Sequence, residues 1–196
     1  MKKIIITENQ DILRKKVVKN EIRINENFRL NELFKELSLT ERENVSNKTS
    51  IAIDKINNGD FETPQNPSSF SASLKQSRYS AMLSDYSESE LGQMKLFKLQ
   101  DLNIGFALKQ FEDKGYSEIV AVHNNEPEVK GVGELLMKSA IKNGGKYLDH
   151  FDGYLSSFYG KLGFKEYKRD KYDPQYDPDQ SFSSKYGEQD VIYRKL

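Results

Sequence analysis

The sequence predicts an α/β fold, and three stretches carry that prediction. Leu96-Phe97-Lys98-Leu99 and Asn103–Leu108 are short apolar runs joined through Asp101-Leu102, the pattern of a β-hairpin. Lys130-Gly131-Val132-Gly133-Glu134-Leu135-Leu136 is a glycine turn that opens an amphipathic helix. Phe158-Tyr159-Gly160-Lys161-Leu162-Gly163-Phe164 is a short helix closed by glycine and followed by an aromatic residue. Their order, strand pair, turn-helix, short helix, suits a sheet whose later strands alternate with helices.

Residues 1–69 read as an N-terminal arm and linker, helical or irregular. Lys3–Thr7 has the make-up of a short strand, Ile12, Val17 and Val18 give a thin helical stripe, and Leu30, Leu33, Phe34 and Leu37 match helical spacing better. Residues 1–50 carry eleven Lys/Arg against eight Asp/Glu. The basic cluster Arg14-Lys15-Lys16 is most simply a solvated helix face; contact with a protein partner or nucleic acid is the alternative. Asn57-Asn58-Gly59-Asp60 and Pro64–Ser69 then supply turn and linker chemistry, which places a boundary there and a domain over 70–196.

Within that domain, Ser73–Leu83 reads as a helix, and Ser87-Glu88-Ser89-Glu90 as a capping box opening a second short one. After the hairpin, Glu118–His123 is a third strand, entered through Gly115 and left through the polar Asn124-Asn125-Glu126-Pro127. The helix from Gly131 to Asn143 places Val132, Leu135, Leu136, Ser139 and Ala140 on one face and stops at Gly144-Gly145. Tyr147–Phe151 is a strand, Leu155–Leu162 a helix closed by Gly163, and Lys165–Lys168 and Asp190–Tyr193 the last two strands. A long Asp/Pro/Tyr/Ser loop separates those two.

Composition narrows the chemistry. Apolar residues make up 36% of the 196, charged residues 31%, and mean hydropathy is −0.76, so one modest core and extensive solvated loops are expected. Thirty basic residues balance thirty acidic ones, which removes any general attraction to nucleic acid or membrane. The absence of cysteine excludes disulfides, a thiolate nucleophile and a cysteine-rich zinc site. Ile4-Ile5-Ile6 is too short for a signal-peptide core and no apolar run approaches membrane-spanning length, so a cytoplasmic chain is expected.

A helix N-terminus presents unpaired N–H groups and the positive end of the macrodipole, and glycines let an anionic group approach them. Gly131 and Gly133 sit where that suits a phosphate or pyrophosphate. The turn is not a Walker loop, since no Lys-Ser/Thr follows, nor a dinucleotide fingerprint, which needs a third glycine. The plainer alternative is that the glycines only make a tight strand-to-helix turn.

At this point the chain resembles the GCN5-related N-acetyltransferase (GNAT) family. That family's acetyl-CoA motif, Gln/Arg-x-x-Gly-x-Gly/Ala, falls on Glu128 to Gly133, with Gly131 and Gly133 on its two glycines. Its Tyr-x-Lys-Leu-Gly-Phe block is matched by Tyr159–Phe164, and the likeness runs over about residues 85–196. The resemblance implies a mixed, mostly antiparallel sheet flanked by helices. It also implies acetyl-CoA as cosubstrate, an amine acceptor, and coenzyme contacts from Val122, Val129, Lys130, Gly131, Val132, Gly133 and Glu134. Direct attack of the amine on the thioester follows, with Tyr159 protonating the leaving thiolate. Three positions depart from the pattern: Glu128 replaces Gln/Arg, and Asp152 and Leu155 stand where many relatives carry Asn and Ala. A carboxylate near a pyrophosphate costs about 1 kcal/mol or more unless it points away or a cation offsets it.

For the base, His123 at the strand end is the best local candidate, with Glu118, Asp149, His150 and Asp152 as alternatives. His150 and Asp152 share a strand face, but two histidines in the whole chain make a metal site a thin reading, and none is expected. Asp173, Asp177 and Asp179 lack EF-hand spacing and read as a surface loop. Phe151-Asp152-Gly153, the Asp/Pro/Tyr loop and the opening Met1–Glu8 also resemble GNAT-like proteins of phages and mobile elements. That likeness implies a rival role, a module without catalysis that serves as a binding or structural part in a host cytoplasm or a virion.

Overall fold

The computed structural model describes residues 39–196 apart from 65, 78–79 and 112–114. The strand, the helical stripes and the basic cluster expected before residue 39 lie outside the described residues. Seven strands form one sheet: β1 (Phe61–Glu62), β2 (Lys95–Leu99), β3 (Ile104–Gln110), β4 (Ser117–Asn124), β5 (Gly145–Phe151), β6 (Lys165–Asp170) and β7 (Val191–Lys195). Their order is β1-β2-β3-β4-β5-β7-β6. Every neighbouring pair is antiparallel except β4–β5. Six helices flank it: α1 (Leu39–Asn58), α2 (Pro67–Gln76), α3 (Glu88–Gly92), α4 (Gly133–Lys142), α5 (Tyr154–Lys161) and α6 (Ser181–Tyr186). The expected mixed, mostly antiparallel sheet flanked by helices is the fold.

From residue 86 onward the helices and strands fall where the patterns place them. The capping box at α3 forms as expected, with Glu90 N–H donating to Ser87 Oγ and Ser87 N–H donating to Glu90 Oε2. Three stretches differ. The helix expected over 73–83 begins earlier, because Asn66 accepts from the Ser68 amide and Pro67 takes the first helical position. It ends at Gln76, and a 3-10 turn covers Ser80–Met82. The long loop before β7 contains α6, held by the Asp177 carboxylate, which accepts from the amides of Phe182 and Ser183 and from the Tyr172 hydroxyl. Hydrogen bonds led by that of Ser183 hold the Asp177 carboxyl well down, at about 2.

The described part of the arm holds the twenty-residue helix α1, which packs on the sheet, the edge strand β1 and the start of α2. Val45, Thr49, Ala52 and Ile56, at helical spacing, are all buried, and Ala52 and Ile56 enter the main core. That core lies on one face of the sheet, with Ile104, Phe106, Leu108, Ile119 and Leu148 meeting Val132, Leu136, Met137 and Ala140. The buried face of α4 thus includes Met137, where Ser139 was expected. A second cluster on the opposite face joins Phe70, Leu74 and Leu91 to Leu96, Ala107, Val120 and Ala121.

One irregularity shapes the sheet. Between β3 and β4 the register steps from Gly105↔His123 to Ala107↔Val120, two residues against three. The extra residue on β4 is a β-bulge, and Ala121 there adopts φ +54°. Next to it β4 and β5 pair at Ser117↔Gly145 and Glu118↔Tyr147, whereas β5 stays paired with β7 out to Phe151. The two parallel strands therefore start together and part.

The bulge depends on a residue without a side chain across from it. A Cβ on Gly105 would fall 2.3 Å from the Phe97 carbonyl oxygen and 3.3 Å from His123 Cε1. Gly105→Ala must push β2 from β3 or flatten the bulge, and overpacking of this kind costs about 1–3 kcal/mol. The expected outcome is a melting temperature several degrees lower by calorimetry; an unchanged melting temperature would show that the strands give way freely.

Candidate functional site

The turn between β4 and α4 is built by side chains that reach it from three directions. The Asn124 amide nitrogen donates to the Val129 carbonyl at 3.0 Å. The Val129 amide donates to Glu126 O at 3.2 Å, and Glu126 Oε1 accepts from the Asn103 amide at 2.7 Å. The Glu126 carboxylate is thus directed at the start of β3 and away from the glycines. The third direction is α1. Thr49 Oγ1 donates to Glu128 O at 3.1 Å and accepts from the Lys130 amide at 3.3 Å, bridging the turn.

Beyond that bridge the turn opens. Gly131 takes φ +73°, and a Cβ there would meet nothing within 4 Å. Val132 is the N-cap of α4 and is buried, which fixes the helix start from below. Among the described residues, the amides of Gly131, Val132, Gly133 and Glu134 have no protein acceptor. The Glu134 carboxylate is drawn along the helix to Lys138 at 2.7 Å. Four N–H groups at the positive end of a helix, with glycine on two of them, form a cradle suited to a diphosphate. The Lys130 amide is not part of it, since Thr49 takes it, and Val129 contributes its side chain to the core.

Tyr159 comes to the same side of the sheet. Val122, Leu135, Phe158 and Tyr159 all pack against the main core, and Phe158 Cζ lies 3.9 Å from where a Gly133 Cβ would be. The Tyr159 ring is surrounded by His150 (5.1 Å between ring centres), Phe158 (5.2 Å) and Phe164 (6.2 Å). Burial pushes its phenol pKa well up, and the charge of Asp149 adds to this, so the hydroxyl stays protonated at neutral pH.

His123 lies elsewhere. It is buried, edge-on to Phe70 in the second cluster, with Nδ1 3.0 Å from the Ala121 carbonyl. The bulge turns it to the face opposite Tyr159. Burial holds its pKa below the ordinary imidazole value. Among the alternatives, His150 has both nitrogens engaged: Arg194 Nε donates to Nε2 at 2.9 Å and Nδ1 lies 2.7 Å from the Phe151 carbonyl. Asp152 accepts from Arg169, from Ser156 Oγ at 2.8 Å and from the Gly153 amide, and so opens α5. Those commitments leave neither residue for a metal, and no group of three potential metal ligands occurs among the described residues. Glu118, at the last pair before β4 and β5 part, has its pKa raised by burial and then by the charge of Asp149.

Thr49, Lys48 and the bulge are missed by motif reading. The Val45, Thr49, Ala52, Ile56 spacing was the available signal for α1; nothing in the local sequence marks the bulge. Lys48 Nζ stands 3.4 Å from Glu128 Oε2, an ion pair without hydrogen-bond geometry, and that oxygen has no hydrogen-bond partner among the described residues.

No family model matches the chain, and no curated protein matches it. Solved structures of N-acetylglutamate synthase from Neisseria gonorrhoeae are similar to it in coarse chain path. The complex with coenzyme A and N-acetyl-glutamate has a TM-score of 0.44 and 16% identity over 69% of this chain and 35% of that one. The complex with coenzyme A and L-arginine has a TM-score of 0.43 and 17% identity over 69% and 33%. The chain thus spans about a third of that synthase's length, and the likeness does not bear on the phage-type placement. Among the described residues no helix is long and apolar enough to cross a membrane.

The depressed histidine has a consequence for stability. As pH falls through about 6.5, the unfolded chain binds protons that folded His123 refuses, so stability present above that pH is lost on acidification. Glu118, raised in the fold, acts in the opposite sense at lower pH. The wild-type minus His123→Gln difference in urea midpoint isolates the histidine, and that difference should shrink from pH 7.5 to pH 5. A difference independent of pH would mean that the ring titrates normally.

Proposed function

We propose that this chain is an acyl-CoA-dependent N-acyltransferase that moves an acetyl group from acetyl-CoA to an amine by direct attack. The observation that carries the reading is the open row of amides from Gly131 to Glu134 at the head of α4, on the face of the sheet where Tyr159 packs against the main core, together with the parting of β4 from β5 after Glu118↔Tyr147. The amides of that row would hold the coenzyme's diphosphate. The gap between the strands would take its pantetheine arm, with β4 backbone near Val122 facing the thioester oxygen. The bulge supports this, because it removes β4 from its ladder where such a ligand would need an unpaired strand edge.

The amine nitrogen forms a bond to the thioester carbon, the carbon–sulfur bond breaks, and the thiolate takes its proton from the Tyr159 hydroxyl. Glu118 is the base we favour. Burial first, and then the charge of Asp149 on the neighbouring strand, raise its pKa above the ordinary carboxylate value, which makes its carboxylate a better proton acceptor. His123 is set aside as base because its ring is sealed in the second cluster. A binding module without catalysis is the second reading, favoured by Glu128, a carboxylate where the motif has Gln or Arg.

Titration of the full chain with acetyl-CoA distinguishes the two. The enzyme reading expects micromolar binding that is abolished in Gly133→Glu, where an ordinary Cβ contact is tolerated but a carboxylate would enter the cradle. Tyr159→Phe should keep that binding and lose about 10²-fold or more in acetylation rate over a panel of amines. No heat of binding at millimolar acetyl-CoA would end the enzyme reading.

A further inference from the structure

Helix α1 meets the glycine turn through a polar residue placed in its apolar stripe. Thr49 sits among Val45, Ala52 and Ile56, only 6% exposed, and its hydroxyl makes two hydrogen bonds into the turn. A threonine in that stripe carries a desolvation cost that valine would not. The hydroxyl offsets it by bonding Glu128 O and the Lys130 amide, the groups on either side of Val129. Both lie immediately before Gly131, whose left-handed conformation begins the open row of amides. The same helix carries Lys48 to within 3.4 Å of the Glu128 carboxylate, the group that stands where Gln or Arg is the pattern. At its far end Lys55 Nζ donates to Gln100 O at 2.9 Å and pairs with Asp101, which ties the helix to the β2–β3 turn.

We infer that Thr49 is a positioning residue for the diphosphate cradle, holding the turn in its receiving shape before ligand arrives, with Lys48 neutralising Glu128 beside it. The inference rests on the acetyl-CoA reading above for the identity of the ligand. The physical basis is that glycines at 131 and 133 leave the turn with little conformational preference of its own. A turn that must order on binding loses affinity in proportion to that ordering; one already bridged does not. Helix α1 is then part of the coenzyme site although it touches no coenzyme.

The test compares Thr49→Val, Thr49→Ser and Lys48→Met in the full chain by two readouts. One is acetyl-CoA affinity by calorimetry; the other is amide hydrogen exchange of the peptide spanning 129–134 without ligand. Thr49→Val should weaken acetyl-CoA binding about tenfold, the effect of one hydrogen bond at ~1.4 kcal/mol per decade. It should also speed exchange of the turn and raise KM for acetyl-CoA while leaving kcat unchanged. Thr49→Ser should restore all three, and Lys48→Met should weaken acetyl-CoA binding without changing exchange. Wild-type affinity and unchanged exchange in Thr49→Val would overturn the inference. So would faster exchange with unchanged affinity, which would make Thr49 structural only. If the wild type fails to bind acetyl-CoA, the functional reading fails, and with it the positioning role, while the exchange readout still reports whether Thr49 braces the turn. If Thr49→Val does not fold, Thr49→Ala, which also removes the hydroxyl, takes its place at the same two readouts, and wild-type affinity or unchanged exchange there overturns the inference.

Discussion

The extra residue in β4 is the constraint on which the rest of the site depends. A regular strand alternates faces with period two, so residues 119, 121 and 123 would all point the same way. With Ala121 at φ +54°, Val120 and Ala121 both serve the second cluster, Val122 returns to the main core, and His123 joins Phe70. One inserted residue thus breaks the ladder toward β5, aims backbone at the gap, and moves a histidine from the face of Tyr159 to the opposite one. Gly105 across the pair makes room for it, because any Cβ there would strike the Phe97 carbonyl.

The electrostatics of β5 and its neighbours follow from burial and partners more than from residue type. His150 would be the obvious titrating group near Tyr159, yet a guanidinium N–H aimed at its Nε2 requires that nitrogen to be an acceptor. Its pKa is lowered by burial first, and Arg194 opposes its charging as well. Arg194 is itself buried and also donates to the Phe164 carbonyl, so it ties the end of the Tyr159 block to β5 and β7. Asp152 is ionised and committed, its carboxyl held at about 2 by Arg169 above all. Beyond opening α5, the Asp adds an ion pair to Arg169 of β6. At the splay Glu118 is raised above the ordinary carboxylate value by burial first and by Asp149 after it, and burial raises Asp149 as well.

Much of the architecture was legible in the residues. The hairpin, the strand before the glycine turn, α4, β5, α5 and the two closing strands announce themselves because their apolar spacing and their glycines are local properties. The Ser87–Glu90 box was legible for the same reason. What escaped depends either on local polar contacts made by residues that serve loops equally well or on contacts distant in sequence. The start of α2 is encoded by Asn66-Pro67, residues that serve equally well in a linker until a helix follows them. Helix α6 exists because Asp177 collects two amides and a phenol from beyond it. His123 was expected on the face of Tyr159 through the assumption of a regular strand, and no side-chain pattern signals the bulge that turns it to Phe70. The glycine turn at the head of α4 lies where the motif puts it, but the loss of the Lys130 amide to Thr49 could not be foreseen, since 81 residues separate the partners.

That last contact bears on what kind of site this is. A phosphate cradle made of backbone offers no side chain to select for, so its geometry must be enforced by neighbours. Here Asn124 holds the Val129 carbonyl, Glu126 joins β3 to the approach, Val132 anchors the helix start, and Thr49 bridges the residue before Gly131. Each of these is a buried or half-buried polar or apolar contact. If the glycines made only a tight connection, the helix end would gain most from a side-chain cap over its first amides, and Ser, Thr, Asp or Asn would serve at the N-cap position. The chain places buried Val132 there, with no side-chain hydrogen bond, and leaves the next amides open. A turn braced by these contacts, with its outward amides left open, has the arrangement that the proposed diphosphate cradle requires.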